Sequence, residues 1–478
     1  MRRPRIACPM RPQRAWIVAC TAVALAACAS GQHPRSPAPD LPPAYTTAER
    51  NALPPAALDA WWTGYDDPQL QTLVERALAR GLDAGLALAR LDEARAIRGQ
   101  ALSSFAPQGG VQAGAERTRS RNLDDGADPP ESTSRSVSLP VSWELDLSGR
   151  RAATRRAADA DLAAARFQYE AARAAVAAQV AQTLFEARGL AAQLEDAQAI
   201  ERIQDDLLGL INRRVERGLS AAADADRVGA EVARSRAQRL AIEAELHAAR
   251  RALLVLTGDG LAPIEQLVVT PALGAAPAVP SLVPGDLLVR RPDIREAQAR
   301  IASAAGGVRL AELDFFPRLT FQPSIGASRQ RGLVDSRVSF WTLGAGLALP
   351  VLDRPRLMSA LDIQSARGQQ AVIVYEQAVQ TAFADADQAF ARLAAARQRV
   401  ELLDDGEARA ARAFDAAQIR YQRGLGDLQA LLDAEAAWRG TRTALTGARL
   451  DLLLGSVQTF KALGGGWTAP APSSDFRP

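Results

Sequence analysis

YEQAVQTAFADADQAFARLAAARQRV, residues 375–400, decides how this chain folds. Within it Val379, Ala386, Leu393 and Val400 recur every seven residues, with Phe383 and Phe390 four positions after the first two. A seven-residue repeat of apolar and small side chains is the seam of a coiled coil whose helices approach closely. The surroundings are equally helical. From Leu357 to Arg423 there is no proline, the only glycines are Gly368 and Gly406, and Ala, Arg, Glu, Gln and Leu dominate. These are the strongest helix formers. At 1.5 Å per residue, ~65 residues make a helix on the order of 100 Å long, which no compact domain can bury. The return segment, Leu425 to Leu463, is also proline-free and ends in Leu-Gly. This part of the chain is therefore a long helical hairpin that turns at Gly424-Leu425.

The same hairpin occurs earlier. Arg150 and Gly218 are 68 residues apart, as are Arg356 and Gly424. At an offset of 206, Tyr169-Glu170 falls on Tyr375-Glu376, Arg217-Gly218-Leu219 on Arg423-Gly424-Leu425, and Gly258 on Gly464. Upstream the offset is 210, so that Ala89-Arg90 matches Ala299-Arg300 and Pro107 matches Pro317. The chain reads as a tandem duplication of a unit of roughly 200 residues, too long for a solenoid module.

Between the helical stretches the period changes to two. Val137, Leu139, Val141, Trp143 and Leu145 alternate with Ser136, Ser138, Pro140, Ser142 and Glu144. In the second copy Leu319, Phe321, Pro323, Ile325 and Ala327 alternate with polar or small residues, and Leu343, Ala345, Leu347 and Leu349 follow. A weaker partner lies at about Gly110 to Ser120. Period two with one apolar face is the strand signature. The pattern predicts two hairpins, or four strands, each of ~10 residues and so long enough to cross a bilayer when tilted. A soluble sandwich has the same alternation. Four strands cannot close a barrel, and an open edge is not tolerated in lipid, so a transmembrane reading requires a barrel shared between chains. Phe315, Phe316, Phe340, Trp341 and Trp143 near the strand ends fit an interfacial girdle or, equally, core residues beneath the barrel.

The N-terminus points to export. Arg2, Arg3, Arg5, Arg11 and Arg14 precede an apolar run from Ala15 to Ala27, the form of a secretory signal rather than a membrane span. Cys8 and Cys20 lie inside that segment, so Cys28 alone would remain after cleavage. The formal charge of +3 loses five arginines with the signal and becomes about −2. Nucleic-acid binding has no electrostatic footprint on such a chain. Enzymatic and cofactor chemistry also lack a motif. His33 and His247 have no neighbours at metal-ligand or catalytic spacing, and no glycine-rich phosphate loop is present. Residues 29–55, rich in Pro, Ser, Ala and Thr, read as an extended tether.

Several separate motifs, in order, resemble the outer-membrane factor (TolC-like) family in its lipoprotein (NodT/OprM-like) branch. They are Trp61-Trp62 with Asp67-Pro68-Gln69-Leu70, Ser142-Trp143-Glu144-Leu145-Asp146, and the run from Asp286 to Arg295. Phe315-Phe316-Pro317-Arg318-Leu319-Thr320, Leu432-Asp433-Ala434 and the element from Phe460 to Trp467 complete the set. Leu25-Ala26-Ala27-Cys28 resembles a lipobox, which implies acylation at Cys28, and Ala29 after it favours sorting to the outer membrane. The resemblance implies a mixed α and β membrane protein, a homotrimer with a 12-stranded β-barrel continuous with a 12-helix periplasmic α-barrel. The organisation expected is a signal peptide (1–27), a lipidated tether (28–60), efflux repeat 1 (61–258), an equatorial linker (259–283), efflux repeat 2 (284–467) and a tail (468–478).

The implied function is the exit duct of a tripartite efflux system for drugs or other toxic small molecules, with a role in antibiotic resistance. Its partners would be a periplasmic adaptor and an inner-membrane transporter of the RND type. A type I protein-secretion duct and a non-conducting envelope spacer are the alternatives, and a spacer has no need of the strands. By resemblance the turns Gly218-Leu219-Ser220 and Gly424-Leu425-Gly426 dock the adaptor. Asp433 matches the aspartate that lines the family's periplasmic constriction, with Asp224 and Asp226 at comparable depth and Asp427 nearer the turn. The alternative for Asp427 and Asp433 is a solvated helix-surface carboxylate. The family's apolar gate residue, four positions before that aspartate, is Gln429 here, and its nearby arginine is Ala436.

Overall fold

The computed structural model describes residues 41–46, 58–119, 131–280, 283–332 and 335–468. The expected signal peptide, Cys28, most of the tether, the loop at 120–130 and nearly all of the tail lie outside the described residues. Element order repeats. The first half carries α1 (Pro68–Arg80), α2 (Leu82–Ser103), β1 (Gln108–Gly109), β2 (Gln112–Arg119), β3 (Glu131–Leu145), α3 (Arg150–Glu216) and α4 (Ala222–Leu256). The second carries α5 (Leu287–Arg290), α6 (Pro292–Leu313), β4 (Arg318–Arg331), β5 (Ser336–Ala348), α7 (Arg354–Gln422) and α8 (Leu428–Ala462). The long helices α3 and α7 hold 67 and 69 residues. The chain divides into two compact units.

The first unit holds residues 95–161 and 299–373, and its centre is an antiparallel sheet. β1 and β2 pair with β3 in one register, Gly109 opposite Val141 and Gln112 opposite Ser138. The ladder breaks between them, at the level of Pro140, which has no N–H to donate. β1 and β2 are thus one strand in two pieces, and the expected four strands are present. β3 pairs with β4 and β4 with β5. This register puts Leu139, Ile325 and Trp341 in one row and Leu319 with Leu145 and Leu347 in another, all on one face. The other face carries Ser136, Ser138, Gly326 and Ser328, with Gly344 opposite Gln322. The apolar face is open: Ile325, Trp341, Leu343 and Leu347 are each more than 60% exposed. Phe340 departs from expectation. It stands opposite Gly326 on the polar face, where a Cβ on that glycine would come within 2.6 Å of its ring, so it leaves the girdle. Trp143 stays on the apolar face, its indole donating to the Phe105 carbonyl at 3.0 Å.

The strand-to-helix joint in this unit is built by carboxylates. Asp146 accepts from the backbone N–H of Gly149, Arg150 and Arg151 at 2.8–3.0 Å, satisfying donors left open at the start of α3. Asp314 accepts from Arg150 and from Arg318, the latter at 2.6 Å.

The second unit holds residues 37–94, 162–298 and 374–478, and is helical apart from its connecting segments. The seven-residue seam is where the sequence places it. Val379, Ala386, Leu393 and Phe390 are buried, and Phe383 stacks on Tyr45 at 5.8 Å. Trp61, Tyr65, Phe185 and Phe460 form a compact aromatic knot, with Trp61 stacked on Phe460 at 5.5 Å. Asp67 caps α1 by accepting from Gln69 and Leu70 N–H, and the buried guanidinium of Arg188 grips its two oxygens. No described helix is long and apolar enough to cross a membrane.

Candidate functional site

The tips of the two helical hairpins are built alike. At the end of α3 the chain continues through Arg217 to Gly218, whose φ is +73°, and Leu219 N–H donates to Arg214 O at 2.8 Å while Gly218 N–H donates to Val215 O at 2.9 Å. At the end of α7, Gly424 has the same φ, with Leu425 N–H on Arg420 O at 2.9 Å and Gly424 N–H on Tyr421 O at 3.0 Å. This pair of bonds is a Schellman cap, whose left-handed residue is cheapest as glycine. Leu219 and Leu425, next in line, are 65% and 69% exposed, and Ser220 and Gly426 begin the return. Each cap thus holds one leucine mostly in water at its tip.

The return helices carry the acidic candidates, and the structure separates them. Asp427 is the N-cap of α8, its carboxylate accepting from Ala430 N–H at 2.7 Å. Asp433, one turn and a half further on, is exposed and accepts from Gln429 Nε2 at 2.8 Å. Gln429 in turn accepts from Arg227 of α4, so a cation is tied to Asp433 through an amide. In the first copy Asp224 is half-buried in the first turn of α4, and Asp226 is exposed. Asp427 and Asp433 therefore have different tasks, the first structural.

Sequence reasoning passed over Glu435. Two residues beyond Asp433 it points the other way round the helix and is buried, accepting from Gln204 Nε2 of α3 at 2.9 Å, with Arg439 at 3.8 Å. Burial pushes its carboxyl above the ordinary range, against the opposing pull of Gln204 and Arg439. It adjoins the cluster of Phe414, Tyr421, Leu431 and Trp438, in which Phe414 and Trp438 stack at 5.2 Å. The heptad pattern around Trp438 is the signal that this face of α8 is core. The described residues contain no His, Cys, Asp or Glu group arranged to hold a metal.

These features, exposed apolar sheet, paired long helices and repeated tips, match known proteins along most of the chain. The family model for outer membrane efflux proteins matches residues 73–259 and again 283–465. This chain belongs to the outer membrane efflux protein family. The pyoverdine export outer membrane protein OpmQ of Pseudomonas putida is 30% identical over 441 residues, spanning 90% of this chain and 92% of that protein. The solvent efflux pump outer membrane protein SrpC of Pseudomonas putida is 30% identical over 414 residues, spanning 84% and 87%. Among solved structures, the outer-membrane channel OprN superposes with a TM-score of 0.76 at 28% identity, over 91% of this chain and 99% of its own. The protein is thus an outer-membrane efflux channel component, of a family of channels and not enzymes.

Proposed function

We propose that three copies of this chain form the exit duct of a tripartite pump, together with a periplasmic adaptor and an inner-membrane transporter of the RND type. The observation that carries this reading is the sheet. One face of it is apolar and open, and its outer strands, β1–β2 and β5, each have a single neighbour. Neither feature suits water, and the open edges do not suit lipid for one chain alone. Three copies of four strands close a 12-stranded barrel, and the paired long helices of three copies supply a 12-helix tube. The two occurrences of the same element order support an internal duplication, with repeats at 61–258 and 284–467 joined by the linker 259–283. Small toxic molecules are the cargo, in keeping with relatives named for pyoverdine and solvent export. The glycine tips at 218–220 and 424–426 dock the adaptor. Asp433 and Gln429, with Asp224 and Asp226, line the mouth.

The sequence before the body supplies the anchor, with Cys28 acylated behind the signal peptide; palmitate labelling of wild type and its loss in Cys28→Ser test that assignment. The duct itself is tested in planar bilayers. Purified protein produces discrete single-channel steps of one size if it is a trimeric duct. Insertion without conductance favours the non-conducting spacer and overturns this reading.

A further inference from the structure

The apolar face of the sheet ends in arginine. Residues directly opposite one another in a ladder point to the same side, and the register sets Arg135 of β3 opposite Arg329 of β4, and Arg329 opposite Arg337 of β5. Three guanidinium groups therefore form one row across three strands. The next row towards the hairpin turns places Arg117 and Arg331 on either side of Thr133. The row of three shares its face with Val137, Leu139, Ile325 and Trp341, so it borders the open apolar band rather than the serine-rich face. It lies at the hairpin-turn end of every strand, the end away from the helices.

Like charges directly opposite are destabilising in a ladder, and charged groups on a lipid-facing surface cost more still unless they reach the headgroups. Something of opposite charge is needed, and among the described residues Glu131 and Asp335 are the acidic groups close by at this end of the sheet. Glu131 is taken by Arg117, and Asp335 accepts from Gly332 N–H at 3.4 Å. Among the described residues Arg135, Arg329 and Arg337 have no ion pair and no side-chain hydrogen bond. Between them is a shallow hollow of about 500 Å³, which Val137 and Ala327 also line. From Val137 to Leu145 the strand covers roughly 27 Å at 3.4 Å per residue, or about 20 Å of membrane depth when tilted, which puts Arg135 at the rim of an apolar band.

We propose that this row binds the phosphate groups of anionic lipid in the leaflet at the hairpin end, making the sheet a lipid-specific surface as well as a channel wall. The inference rests on the reading that the sheet spans the membrane. Guanidinium groups pair with phosphate oxygens bidentately, and a row of three at adjacent strands matches a headgroup with more than one phosphate. The occupant is a lipid and not a free anion because the same face is hydrophobic immediately below the row.

The test uses the full chain in phosphatidylcholine vesicles with and without acyl-labelled diphosphoryl lipid A, scored by labelled lipid retained per protein after detergent extraction. Wild type retains diphosphoryl lipid A. The triple variant Arg135→Gln/Arg329→Gln/Arg337→Gln loses affinity by on the order of 100-fold, since each basic residue near an anionic surface contributes roughly fivefold. The corresponding triple lysine variant keeps most of it. Undiminished retention by the glutamine variant overturns the inference, as does equal retention of the dephosphorylated lipid, or complete displacement by inorganic phosphate. Should the triple variant fail to insert, Arg329→Gln alone decides, with a loss of about fivefold expected and no loss overturning the inference. Insertion and conductance in pure phosphatidylcholine report on the spanning reading separately. If wild type does not insert there or with lipid A, that reading falls and the inference falls with it.

Discussion

Asp67 carries two structural duties with one carboxylate. It caps α1 through Gln69 and Leu70 N–H, and it neutralises Arg188, which is otherwise a buried cation. Burial alone would raise its pKa, but the Arg188 hydrogen bond and the two backbone N–H groups outweigh this and hold it below the ordinary carboxylate range. Its folded pKa is depressed, so its stabilisation is fully present above the unfolded value of about 3.9 and is lost as pH falls through the folded one. Arg188→Ala should cost ~3–5 kcal/mol at pH 7, because it leaves a partly buried carboxylate unpaired. Thermal unfolding followed by helical circular dichroism checks this: the gap between variant and wild type should shrink at pH 3. A gap unchanged with pH would assign the loss to packing of the arginine stem. The capping half of this site is legible from Asp67-Pro68, since a carboxylate before a proline-led helix is an N-cap signal. Its partner is not, because Arg188 is 121 positions away and one of many arginines on helix faces. Glu435 was hidden for a related reason: Asp433 and Glu435 stand two apart, and only packing tells which of them faces the core.

Four glycines end the four long helices, and each has positive φ: Gly218, Gly258, Gly424 and Gly464, at +73°, +84°, +73° and +72°. The matching offset of 206 made all four visible in the sequence, and the left-handed cap explains why the residue type recurs. What the sequence did not show is that the two pairs sit in different surroundings. A Cβ on Gly218 or Gly424 would meet nothing within 4 Å. On Gly258 it would lie 2.7 Å from Arg80 O, and on Gly464 2.8 Å from Arg290 O, both of them backbone atoms that cannot turn aside. Gly218→Ala and Gly424→Ala should therefore cost only the left-handed penalty of ~1–2 kcal/mol each. Gly258→Ala and Gly464→Ala should cost clearly more, read as lower midpoints in denaturant unfolding. Equal losses at all four sites would refute the packing argument. The open space at Gly424 also permits a test of docking: Gly424→Trp should preserve trimer and insertion while adaptor crosslinking falls, and normal crosslinking would move the docking surface elsewhere. Strand existence was equally legible, from the period of two. The split of the first strand at the level of Pro140 and the turning of Phe340 to the polar face depend on register, which no local pattern specifies.

At the scale of the assembled molecule the proposed trimer brings three copies of Asp433 towards one axis. Like charges held ~8 Å apart repel by roughly 0.5–2 kcal/mol depending on how wet the site is, and their combined field favours cations. In each chain this repulsion is opposed by a contact between neighbouring return helices, Arg227 of α4 holding Gln429 of α8, which in turn donates to Asp433. The mouth then rests on a balance between a carboxylate ring that pushes outward and an amide link that draws each α8 to its own α4. Asp433→Ala removes the ring and should reduce the preference for cations and the block by multivalent cations, each severalfold, as expected for a change of about 1 kcal/mol. Asp427→Ala should leave selectivity alone and cost ~1 kcal/mol of helix stability, because its carboxylate is engaged as the cap on Ala430. Single-channel conductance and reversal potentials in asymmetric salt compare the two variants with wild type. If Asp433→Ala changes neither selectivity nor block, the carboxylate is a solvated surface group. The closing contact is then the Arg227–Gln429 link, and Gln429→Ala, which releases α8 from α4, should raise the open-state conductance.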